Sequence, residues 1–193
     1  MTNNMPAQTA LQLPVVVLKA LSFAAHCHQY QRRGGYSRLP YVNHLIKVVE
    51  ELVVIGRETD ADLLCAAALH DAVEDGHTNA QEIEEMFGPT TASIVLEVSD
   101  DMTLPEFERK NQQVTKAASL TNAAKKLKIA DKVCNIRDII EYPIEWDAAK
   151  KLQYVHWATD VVYHCRGVNP ALDDAFDLAA ARAKRFLENG GLA

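Results

Sequence analysis

The sequence predicts an all-α protein with a single domain. Apolar residues recur at helical spacing along most of the 193-residue chain, which predicts a bundle of roughly eight to ten helices. No segment shows the period-two alternation of a half-buried strand, and no hairpin turn separates two apolar runs. The valines at 15–17 form the one strand-like patch, and they lie in a longer helical frame.

Caps and breakers place the first helices. Pro14 suits the first turn of a helix that runs to about Gln31, where a basic, glycine-rich loop follows. A second helix is expected over 41–55 and is stopped by Gly56. Thr59 and Asp60 are N-cap candidates for the third helix, which we expect to continue to Gly76.

The later helices follow from similar signals. Thr103 and Glu106 form a capping-box pattern around Pro105, and Pro143 should break the longest helix. The predicted helices after the third are 79–87, 91–98, 106–118, 121–140, 147–168 and 170–189. We expect residues 1–12 to form a flexible tail and residues 13–193 to form the domain.

Composition narrows the functional classes. The net charge of −6 argues against nucleic acid as a partner, because binding to nucleic acid relies on neutralising phosphates. No apolar run approaches the ~20 residues of a membrane span, and no signal peptide is evident. The four cysteines are scattered without a CxxC pair, which favours buried thiols. We therefore expect a cytoplasmic protein without membrane or nucleic-acid partners.

The end of the third helix carries an unusual polar group. An apolar run from Leu63 to Leu69 is followed by His70 and Asp71, and then by Glu74 and Asp75. On a continuous helix His70 would lie over Glu74, and Asp71 over Asp75. A buried imidazole beside three carboxylates needs a cation or hydrogen bonds to compensate. A divalent metal satisfies that need; the alternative is a capping histidine with a solvated acidic tail.

Two further residues extend this group to a ligand set. His44 lies near the start of the second helix, and Asp131 interrupts the apolar seam of the long helix, where Lys128 and Lys132 are its alternative partners. Two imidazoles and two carboxylates suit Mn²⁺, Fe²⁺, Co²⁺ or Zn²⁺. Such an ion lowers the pKa of water and polarises a phosphoryl oxygen.

Four motifs in order resemble the HD phosphohydrolase superfamily, and within it the hydrolase domain of RelA/SpoT proteins and the stand-alone small alarmone hydrolases. The motifs are PYVNH at 40–44, ALHDAVED at 68–75, FG at 87–88 and ADKVCNIRD at 130–138. The likeness runs from about Ala24 to Tyr142. A lone His-Asp pair is weak evidence, whereas four motifs at matching separations are specific.

The resemblance implies an HD-type helical fold and one Mn²⁺ per chain. It implies removal of the 3′-pyrophosphate from (p)ppGpp or (p)ppApp, which yields pyrophosphate and a nucleotide 5′-di- or triphosphate. By this likeness His44, His70, Asp71 and Asp131 hold the metal, and Glu74 and Asp75 form the catalytic acidic pair. The substrate contacts that it implies are Arg33 at the base, Asn135 at the sugar, Tyr154 in the nucleoside pocket, and Arg109 with Lys110 at the phosphates. The alternative for Arg109 and Lys110 is a solvated helix face.

Two departures from the family pattern fall on loops that should contact substrate. Gly34 and Gly35 follow Arg33 where a lysine is common, and Met102 stands where another lysine is common. Both leave the metal set intact, so an adenine alarmone stands beside the guanine one as a substrate. The rival hypotheses are another HD-type nucleotide phosphatase, acting on NADPH or a deoxynucleotide, and a nucleotide-sensing domain with a vestigial site.

Overall fold

A computed structural model describes residues 7–35, 38–142 and 144–189. Within these ranges the chain forms α1 (Ala7–Cys27), α2 (Val42–Glu50), a π-helical segment (Glu51–Ile55), α3 (Ala61–Leu69), α4 (Ala80–Phe87), α5 (Pro89–Val98), α6 (Glu106–Ala117), α7 (Asn122–Glu141), α8 (Ala148–Tyr163) and α9 (Pro170–Glu188). These described residues contain no strand beyond an isolated bridge between Arg32 and Pro40. The predicted all-α class is confirmed.

The helix α7 lies at the centre of the bundle. It packs against α2, α3, α5, α8 and α9. Its apolar residues Leu127, Ile129, Val133, Ile136 and Ile139 are buried, as their helical spacing predicts. Lys128, Asp131 and Lys132 are also buried on this helix, so it brings charged groups into the interior.

The helix α3 is buried along most of its length. Every residue from 63 to 70 is buried, and the helix packs against α1, α2, α5 and α7. Asp60 is its N-cap, since its carboxylate accepts hydrogen bonds from the backbone N–H groups of Asp62 and Leu63. The C-terminal end of α3 therefore lies inside the molecule.

The prediction that the third helix continues to Gly76 is wrong. The α-helix ends at Leu69, and the chain continues in turns in which the N–H of Ala72 donates to the Leu69 carbonyl at 3.0 Å. The sequence has no glycine or proline between Leu69 and Gly76, so no local signal marks this end.

Two predicted helix starts also differ from the structure. The helix α1 begins at Ala7, so Pro14 lies inside it, because the preceding residues are mostly good helix formers. The capping box at Thr103 does not form: Pro105 is the N-cap of α6, and Thr103 instead donates its hydroxyl to Asp101 at 2.6 Å. A short Asx-type turn thus replaces the predicted cap.

Some predictions fall at the edges of the described ranges. Residues 1–6 of the expected tail and Pro143, the expected breaker, lie outside the described residues. The boundary at residue 13 stays a prediction. No helix in the described ranges is long and apolar enough to cross a membrane.

Candidate metal centre and adjoining cavities

The four residues predicted to hold a metal come together in the interior. His44 comes from α2, His70 and Asp71 follow α3, and Asp131 comes from the middle of α7. His44 Nε2 lies 3.2 Å from Asp131 Oδ1, and His70 Nε2 lies 3.2 Å from Asp71 Oδ2. Ligand atoms of His44, His70 and Asp131 all lie within 4.8 Å of one another. Asp71 Oδ2 lies 4.0 Å from His44 Nε2, which places it at the edge of this group.

The orientation of His70 suits a metal ligand. Its Nδ1 lies 2.8 Å from the Ala67 carbonyl, a contact that only a protonated Nδ1 can make as donor. In the neutral ring this leaves the lone pair on Nε2, which is buried and has no hydrogen-bond partner among the described residues. Histidines that bind metals usually donate their other N–H in this way. The donor set and this orphaned nitrogen both fit a first-row divalent ion.

The carboxylates make this centre attractive to a cation. Burial would lower the pKa of His70, but Asp71 and Asp131 raise it to about 9. Burial would raise the pKa of Asp131, but Lys132 and the two histidines hold it well below its usual range. Tyr41 donates its hydroxyl to Asp71 Oδ2 at 2.7 Å. Both carboxylates are therefore ionised and favour positive charge between the imidazoles.

The predicted acidic pair is divided between two environments. Glu74 lines the cavity at the metal centre, and its carboxylate accepts a hydrogen bond from the Asp100 N–H at 3.0 Å. Burial raises the pKa of Glu74. Asp75 is exposed and does not line that cavity; its Oδ2 accepts a hydrogen bond from Gln31 Nε2 at 2.8 Å. The two carboxylates of the predicted pair thus have different surroundings, and their catalytic roles stay predictions.

Two adjoining cavities share part of their walls. The smaller, of about 160 Å³, contains the metal centre, Glu74 and the buried lysines Lys128 and Lys132. The larger, of about 460 Å³, is lined on one side by Trp146 and Tyr154. Three side chains line both cavities: Arg33, His44 and Asn135. The arrangement suits an elongated ligand whose charged end reaches the metal centre.

Arg33 and Asn135 lie at the junction of the cavities. Arg33 donates from NH2 to Asn135 Oδ1 at 2.7 Å and to Asp138 Oδ2 at 3.0 Å. Asn135 in turn donates to Asp131 Oδ1 at 2.6 Å. The backbone N–H of Arg33 donates to the Leu39 carbonyl, which closes the loop and fixes this arginine. The two residues predicted to bind base and sugar are therefore connected by hydrogen bonds to Asp131, a predicted metal ligand.

Tyr154, the third residue predicted on the nucleoside side, belongs to an aromatic group on the wall of the larger cavity. Its ring centroid lies 5.8 Å from that of Trp146 and 5.2 Å from that of Trp157. Burial raises the pKa of Tyr154 to about 12, so its hydroxyl is neutral.

The structure does not bring Arg109 and Lys110 into either cavity. Lys110 pairs with Glu106 at 2.7 Å on α6, and Arg109 contacts the sulfur of Met102. Lys128 and Lys132 line the smaller cavity instead. The sequence predicts Lys128 and Lys132 only as alternative partners of Asp131. Lys128 lies three residues before Asp131, and this spacing places both side chains on the same face of a helix. Tyr41, which donates its hydroxyl to Asp71, is not among the predicted site residues.

Comparisons with known proteins identify the family of the chain. A family model described as an HD domain matches residues 20–163. A guanosine-3′,5′-bis(diphosphate) 3′-pyrophosphohydrolase MESH1 of Danio rerio is 40% identical over 176 residues, which cover 91% of this chain and 94% of the relative. The protein of the same name from Homo sapiens is 41% identical over 160 residues, covering 82% and 89% of the two chains.

Solved structures give the same result at the level of the fold. A metazoan orthologue of SpoT, described as hydrolysing ppGpp and playing a role in starvation responses, superposes with a TM-score of 0.82 at 38% identity and covers 92% of this chain and 97% of that one. A Listeria monocytogenes protein superposes with a TM-score of 0.61 at 24% identity, which shows the shared fold alone. The predicted resemblance to small alarmone hydrolases is confirmed.

Proposed function

The chain belongs to the HD-domain family, and from this premise we propose that it is a metal-dependent hydrolase of the 3′-pyrophosphate of ppGpp and pppGpp. The products are pyrophosphate and the nucleotide 5′-di- or triphosphate. The proposal rests on two imidazoles and two carboxylates that meet in the interior. They line a cavity together with Lys128 and Lys132. Relatives named as 3′-pyrophosphohydrolases align with nearly the whole chain, which supports the same reaction here.

We propose that His44, His70, Asp71 and Asp131 hold one Mn²⁺. The mixture of two nitrogen and two oxygen donors supports a first-row ion, and Mn²⁺ prefers more oxygen ligands than Zn²⁺ does. A divalent ion bound there supplies Lewis acidity, which eases deprotonation of water and neutralises charge on a phosphoryl oxygen. The buried position of His44 and His70 keeps both rings fixed for this purpose.

The remaining groups of the smaller cavity act on protons and charge. Glu74 is the proposed proton acceptor for the attacking water, since it faces the cavity and burial raises its pKa. Lys132 stays protonated because Asp131 raises its pKa against the effect of burial. Lys132 therefore offers a fixed positive charge to the pyrophosphate. Asp75 acts from outside the cavity, as a positioning residue.

The larger cavity is the proposed nucleoside site. Trp146 and Tyr154 offer aromatic faces to a purine, and stacking on such faces does not discriminate strongly between bases. We therefore propose that (p)ppApp is hydrolysed as well as (p)ppGpp. We also propose a cytoplasmic location, which the four free cysteines support.

A product assay tests the function directly. The metal-stripped protein is supplied with Mn²⁺ and incubated with ppGpp, pppGpp, ppApp, pppApp, NADPH and deoxynucleotides. We expect pyrophosphate from the four alarmones and no turnover after chelation. Release of orthophosphate, or turnover that survives chelation, would contradict the proposal.

A further inference from the structure

A second group of potential metal ligands lies outside the proposed catalytic centre. His28 follows α1, and Asp75 and His77 lie in the turns after α3. One ligand atom from each of these three side chains lies within 4.8 Å of the other two. None of the three lines the cavity of the catalytic centre. We propose that His28, Asp75 and His77 form a second binding site for a divalent transition-metal ion such as Zn²⁺.

The geometry of the cluster is close to that of a bound ion. Tetrahedral Zn²⁺ at ~2.0–2.1 Å from its ligands separates the ligand atoms by roughly 3.3 Å. His28 Nδ1 lies 3.8 Å from Asp75 Oδ2. Gln31 Oε1 lies 3.2 Å from His77 Nε2 and also contacts His28 Nδ1. A contraction of less than 2 Å would therefore assemble three ligands, with the Gln31 oxygen or a water in the fourth position.

The charge and burial of His28 are compatible with metal binding. Burial lowers its pKa, so the ring is neutral at neutral pH, as a metal ligand must be. Its side chain is 0% exposed, and Nε2 has no hydrogen-bond partner among the described residues. In the metal-free network Nδ1 donates to Gln31 Oε1, so binding of an ion through Nδ1 requires this proton to move to Nε2, where no neighbouring donor opposes it. Asp75 and His77 are exposed, which gives an ion access from solvent.

The second site lies next to the first and shares no ligand with it. Tyr41 lies between them: its ring stacks on that of His28 with centroids 5.0 Å apart, and its hydroxyl donates to Asp71. An ion at the second site would hold the carboxylate of Asp75 away from the catalytic cavity. Occupancy would in this way fix the position of one member of the predicted acidic pair.

The alternative state of the same atoms is a hydrogen-bond network without metal. Gln31 accepts at Oε1 from the two histidines and donates from Nε2 to Asp75. Counting bound ions distinguishes this network from a metal site, because the network needs no ion. The count is made without nucleotide, so its failure leaves the proposed hydrolase activity untouched.

The test is equilibrium dialysis of the full chain against Zn²⁺, followed by elemental analysis. We expect two ions per wild-type chain, one per His77→Ala chain, and two per chain of the control His156→Ala, whose histidine is exposed on α8. Affinity at the second site should fall at least about tenfold in Asp75→Asn, which keeps the shape of the side chain but loses its charge. The complementary variant His44→Ala should lose the other ion and retain this one.

Two results would overturn the proposal. One is a single ion in the wild type, which would leave the hydrogen-bond network as the only role of the cluster. The other is an unchanged count and affinity in His77→Ala with native circular dichroism, which would place the second ion elsewhere.

Discussion

At the residue scale, His70 places an imidazole beside two carboxylates at the buried end of the apolar helix α3. It follows the apolar α3 directly and is itself buried. A hydrogen bond to the carbonyl of Ala67, three residues earlier, orients the ring so that Nε2 faces the carboxylates of Asp71 and Asp131. The last turn of α3 thus orients the predicted metal ligand that follows it.

Glu74 carries the first prediction. In Glu74→Gln we expect kcat to fall about 10²–10⁴-fold with the metal content unchanged, because an amide cannot accept the proton of the attacking water. Burial raises the pKa of Glu74, so the wild-type rate should fall as the pH drops through that raised pKa. Rate profiles from pH 5 to 9 should lose this acidic limb in the variant.

Asp75→Asn is the matched control for that prediction. Asp75 lies outside the cavity, so the asparagine should lower kcat much less than Glu74→Gln does and should keep the acidic limb. Equal losses in the two variants would show that Asp75 acts on the proton directly.

The sequence indicates the candidate site through titratable residues that interrupt apolar helical patterns. His44, His70 and Asp131 interrupt apolar patterns, and such side chains need a buried partner. Lysines are less informative, because a solvated face and a ligand site have the same sequence pattern. The resemblance implies Arg109 and Lys110 as phosphate contacts, whereas the lysines of α7 line the cavity.

At the scale of the element, the predicted helix starts at which a side chain caps the helix agree with the structure. Asp60, Asn79, Thr121, Asp147 and Asn169 cap their helices through side-chain oxygens. These starts are encoded locally and could be predicted. The end of α3 at Leu69 could not be predicted, because no glycine or proline marks it and tertiary contacts override local helix propensity there.

The cap of α3 gives the second prediction. Asp60→Ala removes the acceptor of two backbone N–H groups and should lower the free energy of unfolding by about 0.5–2 kcal/mol. Urea denaturation followed by circular dichroism measures this loss. Glu50→Ala, at an exposed position on α2, is the control and should change stability by less than about 0.5 kcal/mol. A stable Asp60→Ala protein would show that packing alone holds the start of α3.

At the scale of the whole molecule, the site depends on α2, α3, α7 and α8 meeting around a cavity in two parts. The residues of the predicted metal centre come from α2, α7 and the chain after α3, whereas the aromatic wall comes from α8 and the segment before it. Binding of the nucleoside and chemistry at phosphorus should therefore respond to different substitutions.

Trp146 tests this separation. In Trp146→Ala we expect KM for ppGpp to rise on the order of tenfold, since loss of stacking costs about 1–3 kcal/mol, while metal content stays unchanged. Steady-state kinetics with elemental analysis measures both. Phe107→Ala removes an aromatic ring that is 73% exposed and lines neither cavity, and it should leave KM unaltered.

Metal binding should also be visible in the stability of the entire fold. The four predicted ligands of the proposed catalytic centre come from three parts of the chain, so an ion that binds only the folded state stabilises it by mass action. At a free Mn²⁺ concentration of about 100 times Kd the gain is about 2.7 kcal/mol, which should raise Tm by several degrees. Chelation should reverse the shift, and His70→Ala should abolish most of it, whereas His164→Ala, at an exposed histidine, should retain it. An equal shift in His70→Ala would mean that the stabilising ion binds away from the imidazoles of the interior.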